Sequence, residues 1–353
     1  MEIPKKQKAQ VITEFGLNVK LQEIDVPEPK SDQVLVNILY TGVCHTDICF
    51  MENALSTKKM SLPMVAGHEG AGKVVAIGKD VKNFKIGDKV GVKIINRICG
   101  YCENCHTSGR DNNCENQEEL ITNKFGTFQQ YITIAEGEAV KLPENVDLKK
   151  AAPLMCAHVE GITVYKGLKE TNCQTGEIVA ISGASGGLGS FAIQFAKNAG
   201  FEVIAIDLGD EKGQHCKDLG ADHYLDASKP DLIKRVQEIS NGRGPHGVLV
   251  VANAIKAFED ALEYIRNYGV VVAIGVPNQN EFKADLMNII GRHLTIKGTT
   301  LGNRQDFKEG VALLAKGKID IPVEVRGLSE LPEIIERINN GQIKGRVVLD
   351  TSK

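Results

Sequence analysis

The rhythm of apolar positions changes near residue 176. Before it, Gln10–Phe15, Val19–Asp25, Gln33–Tyr40 and Gly72–Ile77 alternate or cluster β-branched side chains between Gly, Pro and Asp punctuation, which predicts half-buried strands. After it, Glu177–Ser182, Glu202–Asp207, Gly247–Asn253 and Gly269–Val276 form short apolar runs. Leu188–Asn198, Asp231–Ser240 and Ala257–Asn267 fall between them with helical spacing. Strands alternating with helices predict a parallel sheet covered on both faces, so the fold class is α/β, a doubly wound sheet joined to a β-rich domain. Thr295–Gly298 closes that alternation. Arg304–Ala315 and Leu331–Asn339 read as helices, and Arg346–Asp350 as a strand returning to the first domain. No internal repeat interrupts the pattern.

At 353 residues the chain is long for one hydrophobic core, so two domains are expected. Apolar residues at 42% and charged residues at 25% describe an ordinary globular protein, and a net charge of −3 with no long basic run argues against nucleic acid as a partner. No stretch reaches the roughly 20 apolar residues of a membrane span. Met1–Gln10 has lysines but no apolar run, so it does not read as a secretory signal. Nine cysteines without a signal point to a reducing compartment and to metal rather than disulfides, with the cytoplasm as the expected location.

Four of those cysteines, Cys99, Cys102, Cys105 and Cys114, lie in one short segment rich in Gly, Asp and Asn. Such a loop has no core of its own. Four thiolates converging on one Zn²⁺ would clamp it, because metal-binding free energy becomes folding free energy. A filled tetrahedron leaves no open position, so this zinc is structural. Further on, Gly183-Ala-Ser-Gly186-Gly187-Leu188-Gly189 follows a strand and opens a helix, the arrangement that brings backbone N–H groups to a pyrophosphate. Asp207 ends the next strand, where a carboxylate bonds both hydroxyls of an adenosine ribose and repels a 2′-phosphate. With Asp210 and Glu211 beside it, NAD is favoured over NADP.

The motifs GVCHTD, GHEGAG, GTFQQY, GITVYKGL, AISGASGGLGS, GNR, LPEI and GQIKGRVVLD run through nearly the whole chain. In that order they resemble the zinc-dependent medium-chain alcohol dehydrogenases, most closely the fungal, yeast-type members. The resemblance implies a Rossmann NAD-binding domain over 158–295. It implies a GroES-like catalytic domain from 1–157 with 296–353, and an active site in the cleft. It assigns a second, catalytic zinc to Cys44, His68 and Cys156, with Glu69 able to take the fourth position and Asp47 orienting His68. It places Thr46 on the substrate alcohol. His45 and Arg346 fall near the coenzyme pyrophosphate, and Gly186, Gly187 and Leu188 in the phosphate turn. Asp207 and Lys212 go to the adenosine ribose, and Ile274, Val276, Thr299 and Leu301 lie near the nicotinamide. The implied reaction is reversible hydride transfer between an alcohol and NAD, with zinc as Lewis acid. A homotetramer is the expected assembly.

The chain departs from that pattern at four places. Cys49 stands where yeast-type enzymes carry a proton-relaying histidine, which implies a more alkaline optimum for alcohol oxidation. Tryptophan is absent, and Phe50, Met51 and Ile94 occupy the places that narrow an ethanol pocket, which implies a wider apolar cavity. The gap from Cys105 to Cys114 is one residue longer than usual. Three additional residues, His158-Val159-Glu160, follow Cys156-Ala157. Two rival functions follow: a polyol dehydrogenase or aldehyde reductase for bulky substrates, and a non-catalytic nucleotide-binding protein keeping only the structural zinc.

Overall fold

The computed structural model describes residues 2–54, 60–122, 125–156, 161–277, 281–320, 322–340, 342–343 and 345–353. The chain divides into two compact units, Met1–His158 with Gly302–Lys353, and Val159–Leu301.

The second unit is built on six parallel strands. In space they run His223–Asp226, Glu202–Asp207, Ile178–Ser182, Gly247–Val250, Val270–Ala273 and Thr295–Gly298. The chain order is therefore 3-2-1-4-5-6, and the direction of winding reverses between the first and fourth strands, where doubly wound sheets bind ligands. The expected sheet is present because its central strands are apolar on both faces. Ala180, Ile204, Ile206, Val248 and Val250 all join one buried cluster with Leu232, Phe258 and Leu262 from the helices. Helix Gly187–Asn198 buries Phe191, Ala192, Phe195 and Ala196.

The first unit centres on the eleven-residue strand Gln33–Val43. It pairs antiparallel with Gly70–Ile77, Tyr131–Ala135 and Arg346–Asp350. The returning C-terminal strand is thus in place, with Val347 opposite Val43. Val34, Val36, Ile38, Val74, Val90 and Ile132 form the core beneath it. The registers Thr41↔Gly70 and Val347↔Val43 bring the residues just after Val43, His68-Glu69 and Arg346 to one end of this sheet.

Some elements differ from expectation. The first strand is Lys6–Ile12 rather than 10–15, because the inward positions Gln7 and Gln10 are polar and disguise the period. Gln7 Nε2 donates to Gln129 Oε1 at 3.0 Å and Gln10 Nε2 to the Leu328 carbonyl at 2.8 Å. Thr295–Gly298 pairs with Val270–Ala273 as the sheet's edge. The unit boundary therefore falls after Leu301, and residues 296–301 group with the parallel sheet rather than with the first unit. Among the described residues, no helix is long and apolar enough to cross a membrane.

Candidate functional site

Four side chains from separate parts of the first unit converge. Cys44 follows the central strand directly and caps the helix His45–Met51, its Sγ accepting from the Thr46 N–H at 3.4 Å. The Cys44 N–H donates to Asp47 Oδ2 at 3.1 Å, and Asp47 Oδ1 lies 2.7 Å from His68 Nδ1. Asp47 thereby fixes the imidazole with Nε2 facing inward, 3.3 Å from Cys156 Sγ. Cys156 Sγ is 4.0 Å from Cys44 Sγ, and Glu69 Oε1 is 3.9 Å from His68 Nε2. The ligating atoms of Cys44, His68, Glu69 and Cys156 all lie within 4.8 Å of one another, and all four residues are buried. Sulfurs at about 2.3 Å from a tetrahedral zinc are about 3.8 Å apart, so the cluster has the dimensions of a zinc site.

Its electrostatics agree. The bonded Cys156 thiol draws Cys44 well below the usual thiol range, while burial and the Cys44 charge hold Cys156 well above it. Burial lifts Glu69 to about 7 against the pull of Arg346. Arg346 Nη2 donates to both Glu69 oxygens, at 2.7 and 2.5 Å, and the pair is almost wholly excluded from solvent. Two thiols, an imidazole and a carboxylate aimed at one point are the donor set of a borderline-soft dication.

The second cluster is the cysteine loop. Cys99 Sγ lies 4.0 Å from Cys105 Sγ, and Cys102 Sγ 3.9 Å from Cys114 Sγ. The backbone N–H groups of Glu115 and Cys105 hold the Cys102 thiol below its ordinary value, the pattern that favours a ligating thiolate. The longer gap before Cys114 is taken up by a 3₁₀ turn, Asp111–Asn113, and all four sulfurs still meet.

In the second unit, a cavity of about 390 Å³ opens at the switch point, lined in part by Gly183, Ser185, Gly186, Asp207, Lys212 and Asn253. Gly186 caps the helix that begins at Gly187. Gly189 must lack a side chain, since a Cβ there would stand 2.4 Å from the Ala184 backbone. Asp207 Oδ2 accepts from Ser185 N and Oγ, both at 2.8 Å, and its Oδ1 from Lys212 Nζ at 2.9 Å. Burial raises the Asp207 pKa, but Lys212 and Ser185 outweigh it and hold the carboxyl below its ordinary range.

Other expected residues are placed unequally. Thr46 is buried one residue beyond the exposed His45, whose Nδ1 lies 3.5 Å from Cys49 Sγ. Ile274 and Thr299 gather around Gly167, Leu301 is buried, and Val276 is exposed. Arg346, expected at the pyrophosphate, is buried on Glu69. The insertion His158-Val159-Glu160 lies outside the described residues. Sequence reasoning missed two features: the Ser185 hydroxyl, which its place beside the strand end could have suggested, and the Glu69–Arg346 pair, which 277 residues separate.

A buried Cys-His-Glu-Cys cluster and a four-cysteine loop in the first unit, with a glycine-turn nucleotide pocket in the second, define a zinc-binding dehydrogenase class. Residues 30–144 match the model of the alcohol dehydrogenase GroES-like domain, and residues 187–316 that of the zinc-binding dehydrogenase. The chain belongs to the zinc-binding alcohol dehydrogenase family. It is 45% identical to alcohol dehydrogenase 1 of Emericella nidulans over 352 residues, 99% of each chain. Among solved structures, it is similar to the alcohol dehydrogenase of the archaeon Aeropyrum pernix, with a TM-score of 0.87 and 28% identity over 98% of this chain and 100% of that one. It is similar also to an acetophenone reductase from Geotrichum candidum in complex with NAD, with a TM-score of 0.86 and 28% identity over 99% of each chain.

Proposed function

We propose that the chain interconverts alcohols with aldehydes or ketones using NAD, and that Cys44, His68 and Cys156 hold the zinc that serves this reaction. The observation that carries the reading is the convergence of these three side chains with Glu69 within 4.8 Å, in a chain that also has a carboxylate-ended nucleotide pocket. When bound, zinc supplies Lewis acidity, lowering the pKa of an alcohol hydroxyl or polarising a carbonyl.

The chain's own residues do the rest. Asp47 holds His68 in the tautomer whose Nε2 can ligate. Arg346 balances the Glu69 charge, which lets the carboxylate stay buried beside the site as an alternative fourth ligand. Thr46 Oγ1 accepts the hydrogen bond of the substrate hydroxyl and relays its proton, giving up the threonine's own hydroxyl proton outward as it does so. Gly186, Gly187 and Leu188 present the helix N-terminus to the pyrophosphate, a group to which the family resemblance also assigns His45. Asp207 and Lys212 take the ribose, and Ile274, Val276, Thr299 and Leu301 take the nicotinamide end. When bound, NAD would supply the acceptor for the hydride that the alcohol carbon gives up.

A second zinc at Cys99, Cys102, Cys105 and Cys114 stabilises the loop. Metal analysis tests the pair: two zinc ions per chain are expected, whereas one would favour the non-catalytic alternative.

The pocket is wider than ethanol needs. This reading rests on Phe50, Met51 and Ile94 occupying the positions that narrow an ethanol pocket in the yeast-type enzymes the chain resembles; Phe50 meets the His68 ring edge-on at 6.5 Å between centroids. A relative that acts on acetophenone supports bulky or aromatic substrates. In a panel under saturating NAD⁺, kcat/KM should rise from ethanol to longer and aromatic alcohols, and ethanol as the best substrate would refute the wide pocket. We place the enzyme in the cytoplasm as a homotetramer. The open sheet edge Thr295–Gly298 and the exposed apolar Leu286, Met287, Ile290 and Ile296 support self-association. Light scattering that finds a monomer would overturn it.

A further inference from the structure

Asp207 and Lys212 flank a turn that has almost nothing apolar to anchor it. Leu208 is 59% exposed, and Asp210 and Glu211 are exposed as well. Gly209, at φ +90°, sits at the turn's centre. Both of its backbone polar groups are nonetheless taken by side chains of the neighbouring strand. The Gly209 N–H donates to Asp226 Oδ1 at 3.0 Å, and its carbonyl accepts from the Tyr224 hydroxyl at 2.5 Å. A third bond, Ala227 N–H to the Asp207 carbonyl at 2.7 Å, completes the tie.

The clamp is itself well held. Asp226 lies opposite Asp207 in the parallel register and is 5% exposed. Its Oδ1 also accepts from Ser228 N at 2.9 Å and Ser228 Oγ at 2.8 Å, and Lys229 Nζ stands 3.5 Å from Oδ2. These backbone and hydroxyl donors keep the Asp226 carboxyl far below the ordinary carboxylate range, so it is anionic at any working pH. The Tyr224 ring packs where helix Gly213–Asp218 begins, since a Cβ on Gly213 would lie 2.9 Å from Tyr224 Cδ1.

We propose that Asp226 and Tyr224 are positioning residues for the coenzyme: by holding Gly209 they fix the turn from which Asp207 and Lys212 meet the adenosine ribose. The proposal rests on the reading that Asp207 takes that ribose. A polar tie suits the task, because a ribose-binding carboxylate on an unanchored loop would have to be ordered anew at each binding event. The nearby charges (Asp207, Asp210, Glu211 and Asp226 against Lys212 and Lys229) leave the region negative, adding to the exclusion of a 2′-phosphate.

The test uses the full-length enzyme with zinc bound. Dissociation constants are measured for NADH, by its own fluorescence, and for 5′-AMP, by displacement of NADH. Asp226→Ala should weaken both about tenfold, with kcat at saturating NAD⁺ changed less than twofold. Tyr224→Phe should weaken both about threefold, and Asp226→Asn, which keeps an acceptor for the Gly209 N–H, should recover most of the loss. The proposal is overturned if Asp226→Ala leaves both constants within twofold, or weakens NADH without weakening AMP. It also falls if Asp226→Asn is as weak as Asp226→Ala and both lose kcat in proportion to lost fold. Should Asp226→Ala fail to fold, Tyr224→Phe decides, and an unchanged AMP constant there overturns the clamp. Asp207→Ala is the separate control: if it binds AMP as well as the parent does, the ribose assignment fails, whatever the clamp variants show.

Discussion

Gly42→Ala should damage the metal cluster without replacing any ligand. A methyl at this position would lie 1.9 Å from Glu69 Oε2, 3.0 Å from Glu69 Cδ and 3.2 Å from Glu69 Cβ. The strands cannot part to admit it, because the Gly42 N–H bonds to the Glu69 carbonyl at 3.0 Å. The carboxylate must therefore retreat by about 1.5 Å to reach ordinary contact. That movement breaks its two bonds to Arg346, in a pair of which Glu69 is fully buried and Arg346 nearly so. Separating a buried ion pair costs about 3–5 kcal/mol, above the roughly 1–3 kcal/mol of simple overpacking. For a unit of this size, each kcal/mol moves the midpoint by roughly 2–4 °C, so the drop should be on the order of 10 °C. The assay is a thermal scan at fixed rate, with zinc per chain measured alongside. Glu69→Asp, which withdraws the carboxylate by one methylene, should restore part of the loss in the double variant. A Gly42→Ala midpoint within 2 °C of the parent, or a double variant worse than the single one, would refute the reasoning.

Asp47→Asn should leave the helix cap largely intact but loosen His68, lowering zinc affinity about 10–100-fold in chelator competition. An affinity unchanged within twofold would mean that Asp47 does not orient the ligand. Cys105→Ser should reduce the zinc content from two ions per chain to one and lower the thermal midpoint, read by elemental analysis and calorimetry. Retention of both ions would show that Cys105 is not a ligand. The Asp207 carboxyl titrates below its ordinary value in the fold. Its contribution is thus complete above the unfolded value of about 3.9 and is lost only as pH falls through the lower folded one. The ratio of AMP affinities between the parent and Asp207→Asn should accordingly be flat from about pH 5 to 8, the AMP phosphate titrating alike in both, with Asp207→Asn the weaker binder throughout. A carboxylate-like inflection near pH 5 in the parent enzyme alone would contradict the assignment.

How much of this was legible in the sequence follows from how local each cause is. The central strands of the parallel sheet are buried on both faces, so Glu202–Asp207 stood out with its observed limits. His223–Asp226 did not. It lies at the sheet's edge, and its His, Tyr and Asp give no apolar run, although two of those side chains tie down the turn beside Asp207. Helix Leu148–Leu154 was hidden by Pro153 within it, and His45–Met51 by a cap that is a cysteine rather than Ser, Thr, Asp or Asn.

The same division separates the two metal clusters. Cys99, Cys102, Cys105 and Cys114 close a short loop, so their spacing together with its Gly-, Asp- and Asn-rich setting announced them. Cys44, His68 and Cys156 lie 24 and 88 residues apart, and nothing in such gaps encodes a meeting; only likeness to a family gathered them. What joins them is the pairing of Gln33–Val43 with Gly70–Ile77 and with Arg346–Asp350, which delivers Cys44, Glu69 and Arg346 to one end of a sheet. Arg346 shows the consequence most clearly. The family resemblance expects it, as a basic residue opening the last strand, near the coenzyme pyrophosphate. In the fold it is the counter-charge without which Glu69 could not stay buried beside the ligands, so its substitution should register first in zinc retention and stability, before any change in coenzyme affinity.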